Sequence, residues 1–396
     1  MERSNAPVEL MFGVAPEAGI RPAEVSMAPP LKVAIVGTSW WVDSMYLPAL
    51  SGMDSVELVA VAGRRMEKAD ELARAWSVAA AFDDWQRMLD ETEPDALVVA
   101  APNSMHYPVT LEALRRGMHV LCEKPIATTV SEADHLVATA KAASVVTMVP
   151  FTYSYMPGFR FLEQLTTSGY VGAIHHVGLR YHAGYGIADP YLWKLDARHN
   201  PSGALGDIGS HFLYLGLRLG GDVVSVTARL GTVSRRAQLD PRGEEYPLAP
   251  DTASVILEFE SGAMGTLTAS AVAYEGTSMN QRHVIEVHGD AGTLRYECDW
   301  DFTQSVSGAR VGDGPVRPIA IPDEIWGSVR RDTVHNTYRD VFRTTDAMAR
   351  GWVSAILAGR HIRPDLADGA QVQRLIELCL ESSVSGERKA VKSRGV

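Results

Sequence analysis

Short, almost wholly apolar runs recur through the first 150 positions, at 31–37, 56–63, 96–101, 119–122 and 145–149. A strand with one wet face alternates apolar and polar residues; a strand covered on both faces does not. These runs therefore predict a parallel sheet buried between helical layers. Between them, residues 65–76 set Met66, Ala69, Leu72, Ala73 and Trp76 on one helical face. Residues 109–116 and 131–142 follow the same pattern, the second opened by a Ser131 cap with Asp134 three residues on. Strand and helix alternating over about 120 residues predict an α/β, doubly wound Rossmann domain.

The pattern changes beyond 151. Residues 254–259 and 264–270 flank a Glu260-Ser261-Gly262 turn and predict a hairpin, and 283–288 run into a second turn at 289–292. A C-terminal α+β domain with a large, mostly antiparallel open sheet is expected, one face wet or used for assembly. Residues 333–357 and 368–383 read as closing helices. The chain thus divides into a disordered tail over 1–29, a dinucleotide-binding Rossmann domain over 30–150, and a substrate-binding and oligomerisation domain over 151–390.

Composition narrows the function classes. The chain has 396 residues, 46% hydrophobic and 21% charged, which is ordinary for a globular protein. Its net charge of -11 argues against a nucleic-acid partner. No apolar run approaches the roughly 18 residues of a membrane span, and no secretory leader is evident. Cys122, Cys298 and Cys379 are odd in number and match no zinc spacing, so reduced thiols and a cytoplasmic location are expected. His175, His176, His182 and His199 have no metal-site spacing either.

In a doubly wound sheet, ligands bind beyond the carboxyl ends of the strands. The first such end, Gly37-Thr38-Ser39-Trp40-Trp41-Val42, keeps only the first glycine of G-x-G-x-x-G. A glycine at a strand tip followed by a helix start still offers backbone N–H groups to a pyrophosphate. One of Trp40 and Trp41 is expected to cover the cofactor and the other to pack. The second strand ends in Gly63, Arg64 and Arg65 where an acid would hold a ribose 2′-OH. Two guanidinium groups favour a 2′-phosphate, so NADP is preferred and NAD possible. The third tip carries Pro102, Asn103 and His106; Asn103 suits either a helix cap or a place near the nicotinamide ribose.

Two segments carry the chemistry: Cys122-Glu123-Lys124-Pro125 at the fourth tip, and Gly203-Ala204-Leu205-Gly206-Asp207-Ile208-Gly209-Ser210-His211. Together they resemble the glucose-fructose oxidoreductase/inositol dehydrogenase/MocA-type family, over residues 31 to about 390. The resemblance implies Lys124, Asp207 and His211 as the catalytic set, with His211 as acid/base. It also implies nicotinamide contacts at Asn103, Glu123 and Lys124. Two departures stand out: Pro201-Ser202-Gly203 where the family often has three glycines, and Tyr214 where many members carry a further aspartate.

The residues agree with that chemistry. Asp207 and His211, four apart, share a helix face. Alcohol oxidation needs a base for the hydroxyl proton, and histidine titrates near neutrality. Lysine supplies a fixed donor to the developing alkoxide. Residues 181–193 are expected to line the substrate side, with Tyr181 and Trp193 among the contacts. The cofactor set comprises Gly37, Thr38, Ser39, Trp40, Arg64, Arg65, Pro102, Asn103, His106, Glu123 and Lys124. The expected activity is hydride transfer between nicotinamide and a hydroxyl or keto carbon of a sugar, inositol or related cyclic polyol. Two alternatives stay open: a glycoside-cleaving or epimerising enzyme with tightly held NAD, and a non-catalytic nucleotide-sensing regulator. A small carbohydrate is the expected partner, in a homodimer or homotetramer.

Overall fold

The computed structural model describes residues 29–188 and 191–391; the tail, apart from Pro29, lies outside them. The first sheet contains β1 (Leu31–Val36), β2 (Val56–Ala62), β3 (Ala80–Phe82), β4 (Ala96–Val99), β5 (His119–Cys122) and β6 (Thr147–Met148). Their order is 3-2-1-4-5-6 and every pairing is parallel. Val33, Ala34 and Ile35 of β1 and all of β4 are buried, as strands covered on both faces must be. The edge strand β3 is only three residues long, too short to register as an apolar run.

Two helix starts differ from expectation. The helix Val130–Ala143 is capped by Thr129, whose hydroxyl accepts from Glu132 N–H, not by Ser131. Both pairs fit a capping box; the extended backbone falls at Thr129. The helix Asn103–Arg115 starts six residues before the apolar periodicity begins, with Pro102 at its N-cap. Asn103 is thus the first helical residue and caps nothing.

The second sheet adds β7 (Ile174–Ala183), β8 (Val223–Gly231), β9 (Thr252–Phe259), β10 (Met264–Ser270), β11 (Gln281–Gly289), β12 (Gly292–Asp299), β13 (Gln304–Arg310), β14 (Arg317–Ile319) and β15 (Lys389–Ala390). The order is 14-13-12-11-7-10-9-8-15. Only β7 and β10 pair in parallel. Val177, Leu179 and Tyr181 of β7 face the helical layer, while Ile256 of β9 and Met264 of β10 remain exposed on the other face.

The expected closing helix over 333–357 is two helices, Val334–Arg343 and Met348–Leu357. Both fold back onto the nucleotide module. Phe342 meets Trp41 and Tyr46 edge-on at 5.5 and 5.1 Å. Trp352 donates Nε1–H to the Val146 carbonyl at 3.2 Å. This return joins the two modules at two places, through Trp41 and Tyr46 near the β5 tip and through Val146 directly before β6. Among the described residues, no helix is long and apolar enough to cross a membrane.

Candidate active site

The nucleotide side begins where β1 ends. Gly37 has φ +138°, and a Cβ there would lie 2.2 Å from the Ala100 carbonyl oxygen. Only glycine lets these two strand tips approach so closely. Thr38 packs against Gly63 at the β2 tip, where a Cβ would meet its methyl at 2.4 Å. The helix that follows opens with a π turn at Val42–Tyr46. Its leading N–H groups lack intrahelical acceptors by geometry, and Ser39 and Trp40 are exposed there. Arg64 and Arg65 are exposed at the β2 tip.

Glu123 ties β5 to this helix. Its Oε1 accepts from Trp41 Nε1–H and from the Tyr46 hydroxyl, both at 2.7 Å. Its Oε2 accepts from the Lys124 N–H at 3.2 Å. Trp41 is therefore the packing tryptophan, and Trp40 is 62% exposed. A glycine tip, a helix start directly after it, and Asn103, Glu123 and Lys124 along neighbouring strand ends fit a nicotinamide dinucleotide. His106 does not join them. Its ring is buried, with Nδ1 2.6 Å from the Pro125 carbonyl oxygen and Nε2 2.8 Å from that of Ala101. Both nitrogens face main-chain carbonyls, one of which accepts the ring N–H, so the ring supports the loop instead of facing a ligand.

Lys124 reaches across the joint between modules. Its ammonium donates to the Asp207 carbonyl at 2.6 Å and to Asp207 Oδ1 at 3.3 Å. Asp207 lies in a second π turn, Leu205–Gly209, and His211 in the helix Ser210–Gly220 directly after it. Lys194 bonds Oδ1 at 3.1 Å and Oδ2 at 3.0 Å, and the Tyr185 hydroxyl donates to Oδ2 at 2.8 Å. Burial opposes ionisation of Asp207, but Lys194, Lys124 and the Tyr185 hydroxyl overcome it and hold the carboxyl well below its usual range. His211 is driven the other way. Burial first, then Lys124, keeps its imidazole neutral far below the ordinary histidine value, with Asp207 opposing. Its Nδ1 is buried without a hydrogen-bond partner among the described residues.

An aromatic floor lies beneath His211. Tyr153 meets its ring edge-on at 5.0 Å. The Tyr153 and Tyr181 hydroxyls are 2.9 Å apart, and Gln281 donates to both. Tyr181 is thus a buried member of this floor, its hydroxyl already engaged, and not an open substrate contact. His283, buried against Tyr181, has its pKa pushed down to about 3, by burial and then by Arg180. Trp193 is partly exposed beside Lys194. Tyr214 stacks on Phe151 at 4.6 Å, and Phe151 in turn meets the His211 ring edge-on at 6.0 Å. Sequence reasoning missed Lys194, Tyr46 and Tyr153. For Lys194 the only local signal was its place directly after Trp193.

Residues 31–151 match the family model described as "Oxidoreductase family, NAD-binding Rossmann fold", and residues 159–295 match "GFO/IDH/MocA C-terminal domain". Levoglucosan dehydrogenase of Pseudarthrobacter phenanthrenivorans is 26% identical over 82% of this chain and 86% of its own. The scyllo-inositol 2-dehydrogenase (NADP(+)) of Bacillus subtilis is 28% identical over 74% of this chain and 83% of its own. The solved structure of levoglucosan dehydrogenase with NADH and L-sorbose shares the fold, with a TM-score of 0.79 over 92% of this chain and 100% of that one, at 23% identity. Both matched models fall in the order of the two sheets, and the chain therefore belongs to the GFO/IDH/MocA family of NAD(P)-dependent oxidoreductases.

Proposed function

We propose that this enzyme oxidises a ring hydroxyl of a sugar, inositol or related cyclic polyol, with Lys124 and His211 touching the reacting oxygen. The observation that carries this reading is the meeting of Lys124 from the nucleotide module with Asp207, one turn before His211. When bound, the nicotinamide supplies the two-electron acceptor for the hydrogen on carbon. Lys124 holds the substrate oxygen and stabilises the negative charge that grows on it. His211 takes the hydroxyl proton; burial and Lys124 keep it neutral, the form that accepts one. The names of the levoglucosan and scyllo-inositol dehydrogenases support a cyclic polyol as substrate.

Arg64 and Arg65 support a preference for NADP, since exposed guanidinium groups at the β2 tip suit a 2′-phosphate. The open outer face of the second sheet, with Ile256 and Met264 exposed, supports a homodimer or homotetramer, which sedimentation at micromolar concentration would reveal.

The test is a panel of anhydrosugars, inositols and glucosides with NAD and with NADP, followed by absorbance of the reduced cofactor. His211→Ala and Lys124→Met should each lower turnover about 10²–10³-fold while cofactor still binds. Wild-type turnover in either variant overturns the assignment.

A further inference from the structure

The two ammonium groups on Asp207 are not equivalent. Lys194 reaches both carboxylate oxygens, at 3.1 and 3.0 Å. Lys124 spends its short bond, 2.6 Å, on the main-chain carbonyl and reaches Oδ1 only at 3.3 Å. The Tyr185 hydroxyl closes Oδ2 from a third direction at 2.8 Å.

Lys194 is held from behind. Asn200 is buried, and its Nδ2 donates to the carbonyls of Lys194 and Gly203, each at 2.9 Å. That one amide ties the segment bearing Lys194 to the turn that begins the catalytic helix. The Lys194 ammonium also sits 5.4 Å from the Tyr185 ring centroid. A solvated lysine beside an exposed acid would contribute little. Here the acid is buried, and a buried carboxylate requires compensation.

A buried carboxylate with one lysine partner draws that lysine onto itself. With Lys194 and Tyr185 fixing the carboxylate, Lys124 makes one short and one long bond to Asp207, and one of its three N–H donors is left over. We propose that Lys194 is a positioning residue of the reaction, which neutralises and orients Asp207 so that Lys124 keeps a donor for the substrate oxygen. This rests on the reading above, in which Lys124 and His211 touch that oxygen.

The arrangement also sets the charge on His211. The groups that face it include Lys124 from the β5 tip, Asp207 from the preceding π turn, His283 from β11, Lys194 from its loop and the Tyr153 ring below. Asp207 favours the imidazolium, and the Lys124 and Lys194 ammonium groups oppose it. Removing the Lys194 charge deletes one opposing cation and leaves the Asp207 charge less compensated. Both effects move the His211 titration to higher pH.

The experiment compares full-length wild type, Lys194→Met and Lys194→Arg. The His211 ring is titrated by NMR, and kcat for oxidation is followed against pH. For Lys194→Met, the His211 midpoint and the acid limb of kcat should both move up, and kcat should fall about 100-fold at neutral pH. Cofactor affinity should stay at the wild-type value. Lys194→Arg keeps the charge and should restore the midpoint and most of kcat. If Lys194→Met does not fold, the uncharged Lys194→Gln replaces it in the same titration. A wild-type His211 midpoint in the uncharged variant, or a loss confined to KM, overturns the proposal. The NMR midpoint needs no turnover. An upward midpoint in a protein that oxidises no polyol would therefore overturn the reaction and leave the electrostatic role of Lys194 standing.

Discussion

Lys124 stands between two buried carboxylates that are satisfied in opposite ways. Glu123, on the nucleotide side, takes its bonds from an indole, a phenol and a backbone amide. Asp207, on the sheet side, takes its bonds from two ammonium groups and a phenol. Neutral donors orient a carboxylate without cancelling its charge; ammonium groups do both. Glu123 therefore acts as a strut between β5 and the dinucleotide helix, and Asp207 as a charge that sets its neighbours. The histidines of the sheet module complete the contrast, since burial leaves His211 and His283 neutral beside that ionic cluster.

Of the two carboxylates and the sheet histidines compared above, Asp207 is expected to give the largest effect, through Asp207→Asn, which removes the charge and keeps the shape. Turnover should fall about 100-fold, as for the loss of one preorganised electrostatic partner. Asp207 favours the charged form of His211. Its loss should therefore shift the acid limb of kcat to lower pH, opposite to Lys194→Met. Matching shifts in the two variants would break the comparison.

A smaller effect, on stability, comes from His283. Its folded pKa of about 3 lies below the roughly 6.5 of an unfolded histidine. Between those values the unfolded chain binds the extra proton, so stability is complete above 6.5 and declines as pH falls. From pH 7 to pH 5 this group should cost about 2 kcal/mol. His283→Gln should lose that much less over the same interval, measured by urea unfolding at both values. An equal loss in variant and wild type would show that His283 does not carry this dependence.

The smallest effect is expected from Glu123→Gln. The amide oxygen can still accept from Trp41 and Tyr46, but the Lys124 N–H loses its acceptor. Cofactor affinity should weaken about tenfold, as for one lost hydrogen bond to a charged group, while kcat changes less. Titration of tryptophan fluorescence with NAD and NADP measures it. A larger drop in kcat than in affinity would place Glu123 with Asp207 after all.

Much of this architecture was legible along the chain. The runs at 31–37 and 96–101 mark buried strands because no alternation survives when both faces are covered. The Glu123-Lys124-Pro125 step and the Asp207–His211 spacing pointed to the site, and the family comparison agrees with the resemblance they carried. Other features were not legible. Thr129 and Ser131 compete as caps with equal local credentials, and only the backbone conformation at 129 separates them. The π turns at Val42–Tyr46 and Leu205–Gly209 leave no mark in apolar periodicity. Trp41 and Glu123 are 82 residues apart, and Lys124 and Asp207 are 83 apart.

The order of residues by itself determined the longer buried strands, the change of pattern near residue 151 and the motifs of the family, because burial periodicity and motif spacing are local properties. Which lysines share Asp207, which nitrogen of His211 is sealed and where His106 and Tyr181 point were decided only in three dimensions. Charge, burial and hydrogen bonding act through distances of a few ångströms, and folding sets those distances between segments far apart in the chain.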